Sequence, residues 1–195
     1  FTPPYAVQVE KIFNCVNDFI PKDVLISCSE WAEKNRVLTK KVTNTPGPFR
    51  FENAPYTREI CDCFSKNSPI QKVAIRKGVQ LCLTTSVIEN AIGYTLGVNP
   101  SSMMFVFPTD KDCEEYKKIK IDNLIDNSGL RKKITAETED RNTRRTGDTA
   151  FLIEFSGGFL KLVSARKGNA LRSFPIKILL FDEVDGYPDE IKGEG

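Results

Sequence analysis

Two short runs in this sequence have residue types and spacing suited to handling phosphate. The first is Arg-Lys-Gly-Val-Gln-Leu-Cys-Leu-Thr-Thr, residues 76–85. There a strand-like segment, Gln71 to Arg76, meets a glycine, then small and hydroxyl residues, then a helical pattern. Backbone N–H groups of such a loop and of the helix start can cradle a phosphate. A hydroxyl from Thr84 or Thr85 can reach a magnesium ion held on that phosphate. The strict phosphate-loop pattern sets a lysine just before the hydroxyl and a glycine before the lysine; here Leu83 and Cys82 stand in those places. The second run is Ile-Leu-Leu-Phe-Asp-Glu, residues 178–183. Four apolar residues deliver Asp182 and Glu183 to a strand end. One carboxylate there can hold magnesium through its water shell, and the next can orient or deprotonate an attacking water. Each run alone is weak, since strand-loop-helix units and solvated acids at strand ends are common. Together they have the layout expected of the two halves of a phosphate-loop ATPase site, although the strict loop pattern is not met.

The elements that must position these residues follow from periodicity. Ser27 is placed to cap a short helix whose apolar stripe holds Trp31 and Leu38, with Ala32 beside the indole. Pro46, Gly47, Pro48 and Pro55 forbid regular helix and mark a loop. Helical spacing resumes through Tyr56, Ile60 and Phe64. Val73 and Ile75 alternate with small or polar residues, as in a strand. A helix follows Thr84 through Ile88, Ile92 and Leu96, ended by Gly97 and Pro100. The apolar run Ser102–Thr109 suits a strand buried on both faces. Tyr116, Ile119, Asn123 and Leu124 share a helical face, with Gly129 as terminator. Gly157-Gly158 signals a hairpin, and Ile176 to Phe181 reads as another buried strand. The expected fold class is therefore α/β: a mainly parallel sheet flanked by helices, with a helical lead-in. The lead-in and Pro-rich loop cover residues 1–66, and the core covers 67–195. In such folds ligands bind beyond the carboxyl ends of the strands, where both chemical runs fall.

Composition excludes several alternatives. With 195 residues the chain can bury a sizeable core. Its formal net charge is only +2, so any nucleic-acid surface must be local. No apolar run approaches the roughly 18 residues that span a bilayer, and Phe1 opens no secretory signal. The chain contains no histidine, which removes every His-based triad or base. Cys15, Cys28, Cys61, Cys63, Cys82 and Cys113 are scattered without zinc spacing and read as reduced thiols.

Taken together, several phrases resemble the large terminase subunit of tailed bacteriophages, in the lambda-type family of packaging motors. They are Ser29–Leu38, Pro46–Asp62, Lys77–Thr85 with Glu89–Tyr94, Phe105–Thr109, Phe155–Pro188 and the closing Gly-Glu-Gly. They occur in the family's order over nearly the whole chain from about residue 25. In that family the loop usually reads Lys-Gly-x-Gln-x-Gly-x-Thr, with its basic residue at the front. The resemblance thus implies Lys77 as the loop lysine, with Gly78, Val79, Gln80, Leu81, Cys82, Leu83, Thr84 and Thr85 lining the nucleotide. It implies Asp182 and Thr84 at magnesium, and Glu183 and Lys77 as catalytic groups. A flexible four-carbon stem lets an ammonium reach the same phosphates from the loop's front end. Cys82 departs where glycine is usual, and a left-handed backbone there would strain it by about 1–3 kcal/mol.

The resemblance further implies ATP and Mg2+ as cofactors. The implied partners are double-stranded DNA, the small terminase subunit and the portal, with a ring of copies in the full motor. The implied location is the host cytoplasm, away from any membrane. The chain starts without Met and stops soon after Asp182-Glu183, so a truncated ATPase portion without its nuclease is expected. Arg166, Lys167 and Arg172 are candidates for contact with DNA or a neighbouring subunit's nucleotide. The clusters around Lys132-Lys133 and Arg141, Arg144 and Arg145 need only phosphate contact to serve DNA. A non-hydrolysing scaffold that binds DNA or packaging partners is the main alternative. A superfamily-two helicase fits less well, because no Ala/His pair follows Asp182-Glu183.

Overall fold

A computed structural model describes residues 26–78, 80–134, 151–167 and 174–188. Its first helix, α1 (Cys28–Asn35), starts where the sequence puts it. The Ser27 side chain accepts from the Glu30 amide and the Glu30 carboxylate accepts from the Ser27 amide, a reciprocal capping box. A two-residue ladder, β1 (Val37–Leu38) with β2 (Gly47–Pro48), closes the Pro-rich loop. Helix α2 (Thr57–Asp62) follows. Its buried residues are Thr57 and Cys61, whereas Tyr56 is exposed. The expected stripe through Tyr56, Ile60 and Phe64 is thus displaced by one residue, because α2 docks on α1 through small side chains. Asp62 accepts from both the amide and the hydroxyl of Ser29 at 2.9 Å, and the Cys61 and Cys28 sulfurs approach to 3.3 Å.

After the loop, a π-turn (Thr84–Ile88) runs into α3 (Glu89–Gly97), whose residues Glu89 to Leu96 are all buried. Trp31 lies flat against α3. A Cβ added at Gly93 would meet its Cη2 at 2.1 Å, so this glycine is required by a close approach. Strand β3 (Met103–Phe107) is buried throughout, as its apolar run implies. The next helical stretch is α4 (Asp110–Tyr116), a π-turn (Lys117–Ile121) and α5 (Asp122–Asn127). The wider turn rotates the face: Ile121, Leu124 and Ile125 are buried, while Ile119 is 46% exposed. Gly129 ends the stretch at φ +69.

The hairpin pairs β4 (Leu152–Phe155) with β5 (Gly158–Ser164), and the last strand is β6 (Ile178–Phe181). The sheet order is β4-β5-β3-β6. Strand β3 runs parallel to both β5 and β6, and only β4 is antiparallel. The α/β class with a mainly parallel sheet therefore holds. Met103, Phe105 and Phe107 face a large core shared with Trp31, Ile92, Leu96, Ile121 and Ile125. Met104 and Val106 face a smaller cluster with Val163 and Ala165.

Two expectations are corrected at the sheet edge. Strand β6 pairs with β3 on one side only among the described residues, and Leu179 and Phe181 are each 50% exposed, so it is an edge and not a buried strand. Residues 71–78 form no ladder and lie exposed, with Val73 and Ile75 turned outward. Alternating apolar residues favour a strand only when a neighbour supplies hydrogen bonds and a face to bury. Here no described strand does.

Candidate functional site

The site lies where parallel strands β3 and β6 end together. Val106 sits opposite Phe181, which brings Asp182 beside the Phe107-Pro108 end of β3. The loop approaches this end from the other chain segment. Leu83 is only 7% exposed, while Gly78, Gln80, Leu81 and Cys82 remain exposed. Gln80 and Cys82 both adopt left-handed backbone, at φ 62 and φ 56. The conformation that glycine would favour is therefore adopted by a cysteine. Such left-handed residues turn successive amides toward one side of a loop. The loop is tied at both flanks: the Tyr56 hydroxyl donates to the Leu81 carbonyl at 2.9 Å, and the Ser86 amide donates to the Cys82 carbonyl at 2.7 Å.

Three side chains converge across the gap. The Lys77 ammonium lies 2.9 Å from Asp182 Oδ1. The Thr84 hydroxyl donates to Asp182 Oδ2 at 2.6 Å and accepts from Lys77 Nζ at 3.4 Å. Lys77 stands at the loop's front, so its stem folds back along the loop to reach the hydroxyl seven residues on. Of the two threonines offered by the sequence, Thr84 faces the acid. Thr85 turns inward instead and donates to Glu89 Oε1 at 3.3 Å.

Glu183 also takes left-handed backbone, at φ 52, and its amide donates to the Asp182 carboxylate at 3.1 Å. Both acids line a cavity of about 300 Å³ with Thr84, Phe107, Tyr116 and Lys120. Asp112 and Glu115 of α4 add two carboxylates to its wall. Tyr187 braces the turn after Glu183 by donating its hydroxyl to the Val106 carbonyl at 2.7 Å. Burial, with smaller contributions from Asp182 and Glu183, pushes the Tyr187 phenol up to about 12, so it stays a donor. Tyr116 has a buried hydroxyl with no hydrogen-bond partner among the described residues. Burial first, then the Glu89 carboxylate, raises its ionisation well above the usual phenol range.

The donor set suits a magnesium ion. A threonine hydroxyl and a strand-end aspartate joined by a 2.6 Å hydrogen bond are hard oxygen ligands on two converging elements. No three His, Cys, Asp or Glu side chains cluster as ligands among the described residues.

Other candidates fall elsewhere. Arg166 is exposed on the turn after β5, and Lys167 pairs with Asp110 at 2.9 Å. Val79, Arg172, Arg141, Arg144, Arg145 and the closing Gly-Glu-Gly lie outside the described residues. Sequence reasoning missed Tyr56, Tyr116 and Arg36. Arg36 is 2% exposed and makes an ion pair with Glu89 beneath the loop. Its only signal was a lone arginine at the end of an amphipathic helix, which usually marks a solvated helix terminus.

With this geometry in hand, comparison with known proteins adds one finding. Residues 43–195 match the family model of the phage terminase large subunit gpA, ATPase domain. No curated protein and no solved structure matches the chain.

Proposed function

The chain belongs to the ATPase-domain family of the phage terminase large subunit gpA, and from that premise we propose that it is the ATP-hydrolysing part of a motor that drives double-stranded DNA into a procapsid. The observation that carries this reading is the convergence of Lys77, Thr84 and Asp182 from segments far apart in the chain. Such a convergence is expected of a phosphate cradle facing its acids, and a decayed scaffold has no reason to retain it.

In this reading the loop amides of residues 78–85 and the Lys77 ammonium bind the β- and γ-phosphates. Thr84 and Asp182 would hold Mg2+, which when bound neutralises phosphate charge. Glu183 orients a water for in-line attack on the γ-phosphorus and takes its proton, while the bond to the departing ADP oxygen breaks. Lys77 is already drawn to the site by Asp182, so its shift to phosphate is a short swing of a flexible stem. Arg166 and the basic segments near it are the proposed contacts to the DNA backbone. The small terminase subunit, the portal and further copies of the chain in a ring are the proposed partners, in the host cytoplasm. No described helix is long and apolar enough to cross a membrane.

The test is calorimetric titration of a slowly hydrolysed ATP analogue with Mg2+. Wild type is expected to bind, Lys77→Ala to bind at least tenfold more weakly, and Glu183→Gln to bind while losing turnover. A folded wild type that takes up no nucleotide at millimolar concentration refutes the reading.

A further inference from the structure

Beneath the loop lies a polar cluster that the proposed chemistry does not use. Arg36, Glu89 and Asn90 are 2%, 1% and 0% exposed. One Arg36 nitrogen donates to the Thr85 carbonyl and to Asn90 Oδ1, and the other to Glu89 Oε2. The second Glu89 oxygen accepts from the Thr85 hydroxyl, and Asn90 Nδ2 donates to the Ser86 carbonyl at 2.8 Å. Thr85, Ser86, Glu89 and Asn90 all belong to the π-turn or to the first turn of α3, directly after the loop. A π-turn lacks the tight ladder of an α-helix and commonly occurs at functional sites.

The other end of Arg36 is anchored away from the loop. Its amide caps α1 by donating to the Ala32 carbonyl at 3.0 Å, its carbonyl accepts from the Phe49 amide at 2.9 Å, and its guanidinium sits over the Phe49 ring. A buried ion pair is a poor source of stability, because removing two charges from water offsets most of their attraction. Its better-attested use is to select one arrangement over others. Here the arrangement selected is the turn that carries Thr84.

We propose that Arg36 is a positioning residue for the loop of residues 77–85: its buried planar fork, on a backbone tied to α1 and to Phe49, sets the first turn after the loop and thereby the approach of the Thr84 hydroxyl to Asp182. The role assigned to Thr84 rests on the function proposed above, but the mechanical claim does not. Lysine cannot replace the fork, since a single ammonium lacks the fixed set of donors that reaches the Thr85 carbonyl, Asn90 and Glu89 together.

The test compares wild type with Arg36→Lys and with the charge-free double variant Arg36→Met/Glu89→Leu, using hydrogen exchange and Mg2+ titration at fixed nucleotide. Amides of residues 82–88 are expected to exchange about tenfold faster in both variants relative to those of β3, the cost of losing one charge-assisted bond. The double variant is expected to melt near the wild-type temperature and still keep the faster loop exchange. The Mg2+ concentration at half-saturation is expected to rise about tenfold in Arg36→Lys, with less effect on the rate at saturation. Loop exchange that merely tracks overall stability, or that recovers in the double variant, overturns the proposal and leaves Arg36 a structural residue. If wild type binds no nucleotide, the ATPase reading fails, and the exchange ratio still decides the role of Arg36.

Discussion

Cys82→Gly tests whether the loop is held in its working shape. Cys82 sits at φ 56 with its side chain exposed, so almost no burial is lost on truncation. Left-handed backbone costs an L-residue about 1–2 kcal/mol, which glycine avoids. Glycine in turn loses more chain entropy on folding, by about 0.5–1 kcal/mol. The balance is a gain of about 0–1.5 kcal/mol. For a chain of this size that corresponds to a melting temperature higher by up to about 6 °C. Nucleotide affinity should change less than about threefold, because the strain is present before and after binding and cancels from the difference. Differential scanning calorimetry and analogue titration on the two proteins read both quantities. A gain of more than tenfold in affinity would show that the loop must be rebuilt on binding, and a lower melting temperature would show that residue 82 is not strained.

Three further outcomes follow from other contacts. Lys77→Ala should lower stability by less than about 1 kcal/mol, since its ion pair with Asp182 is 30% exposed on the lysine side; thermal melts separate this small effect from the large loss of nucleotide affinity. Gly93→Ala should destabilise by about 1–3 kcal/mol or more, because the new methyl meets the Trp31 ring and cannot be absorbed without moving α1 from α3; urea unfolding measures it. Stability should fall as pH rises through the alkaline range, because burial pushes the Cys113 thiol from 9.0 up to about 12. Between those values the unfolded chain has lost a proton that the folded chain keeps, so the stability present below pH 9 is lost by about 12. Melts of Cys113→Ala at pH 8 and pH 11 should show a shallower fall than wild type, with Tyr187 supplying part of the remainder.

Local signals were legible where the chain needs no distant partner. The capping box at Ser27 and Glu30, the apolar run of β3 and the Gly157-Gly158 turn all announce themselves within a few residues. Lys77, Thr84 and Asp182 were legible as candidates because few residue types suit phosphate and metal, and the three side chains do meet. What failed depended on neighbours. Residues 71–76 alternate correctly, yet alternation does not supply a ladder. The Tyr116–Leu124 face was misread because a π-turn inserts between α4 and α5, and no residue type announces one. Arg36 was invisible because its burial is decided by Glu89, and the pairing of two charges 53 positions apart leaves no periodic trace.

The lone indole of this chain has an optical consequence. Trp31 is 3% exposed, and Gly93 and Gly97 leave room for its ring against α3, the helix that follows the 77–85 loop. Any tilt or slide of that helix alters the polarity and quenching around the sole tryptophan. Steady emission wavelength and lifetime therefore report on the helix beneath residues 77–85 without a label, and stopped-flow fluorescence can time its movements in the native protein.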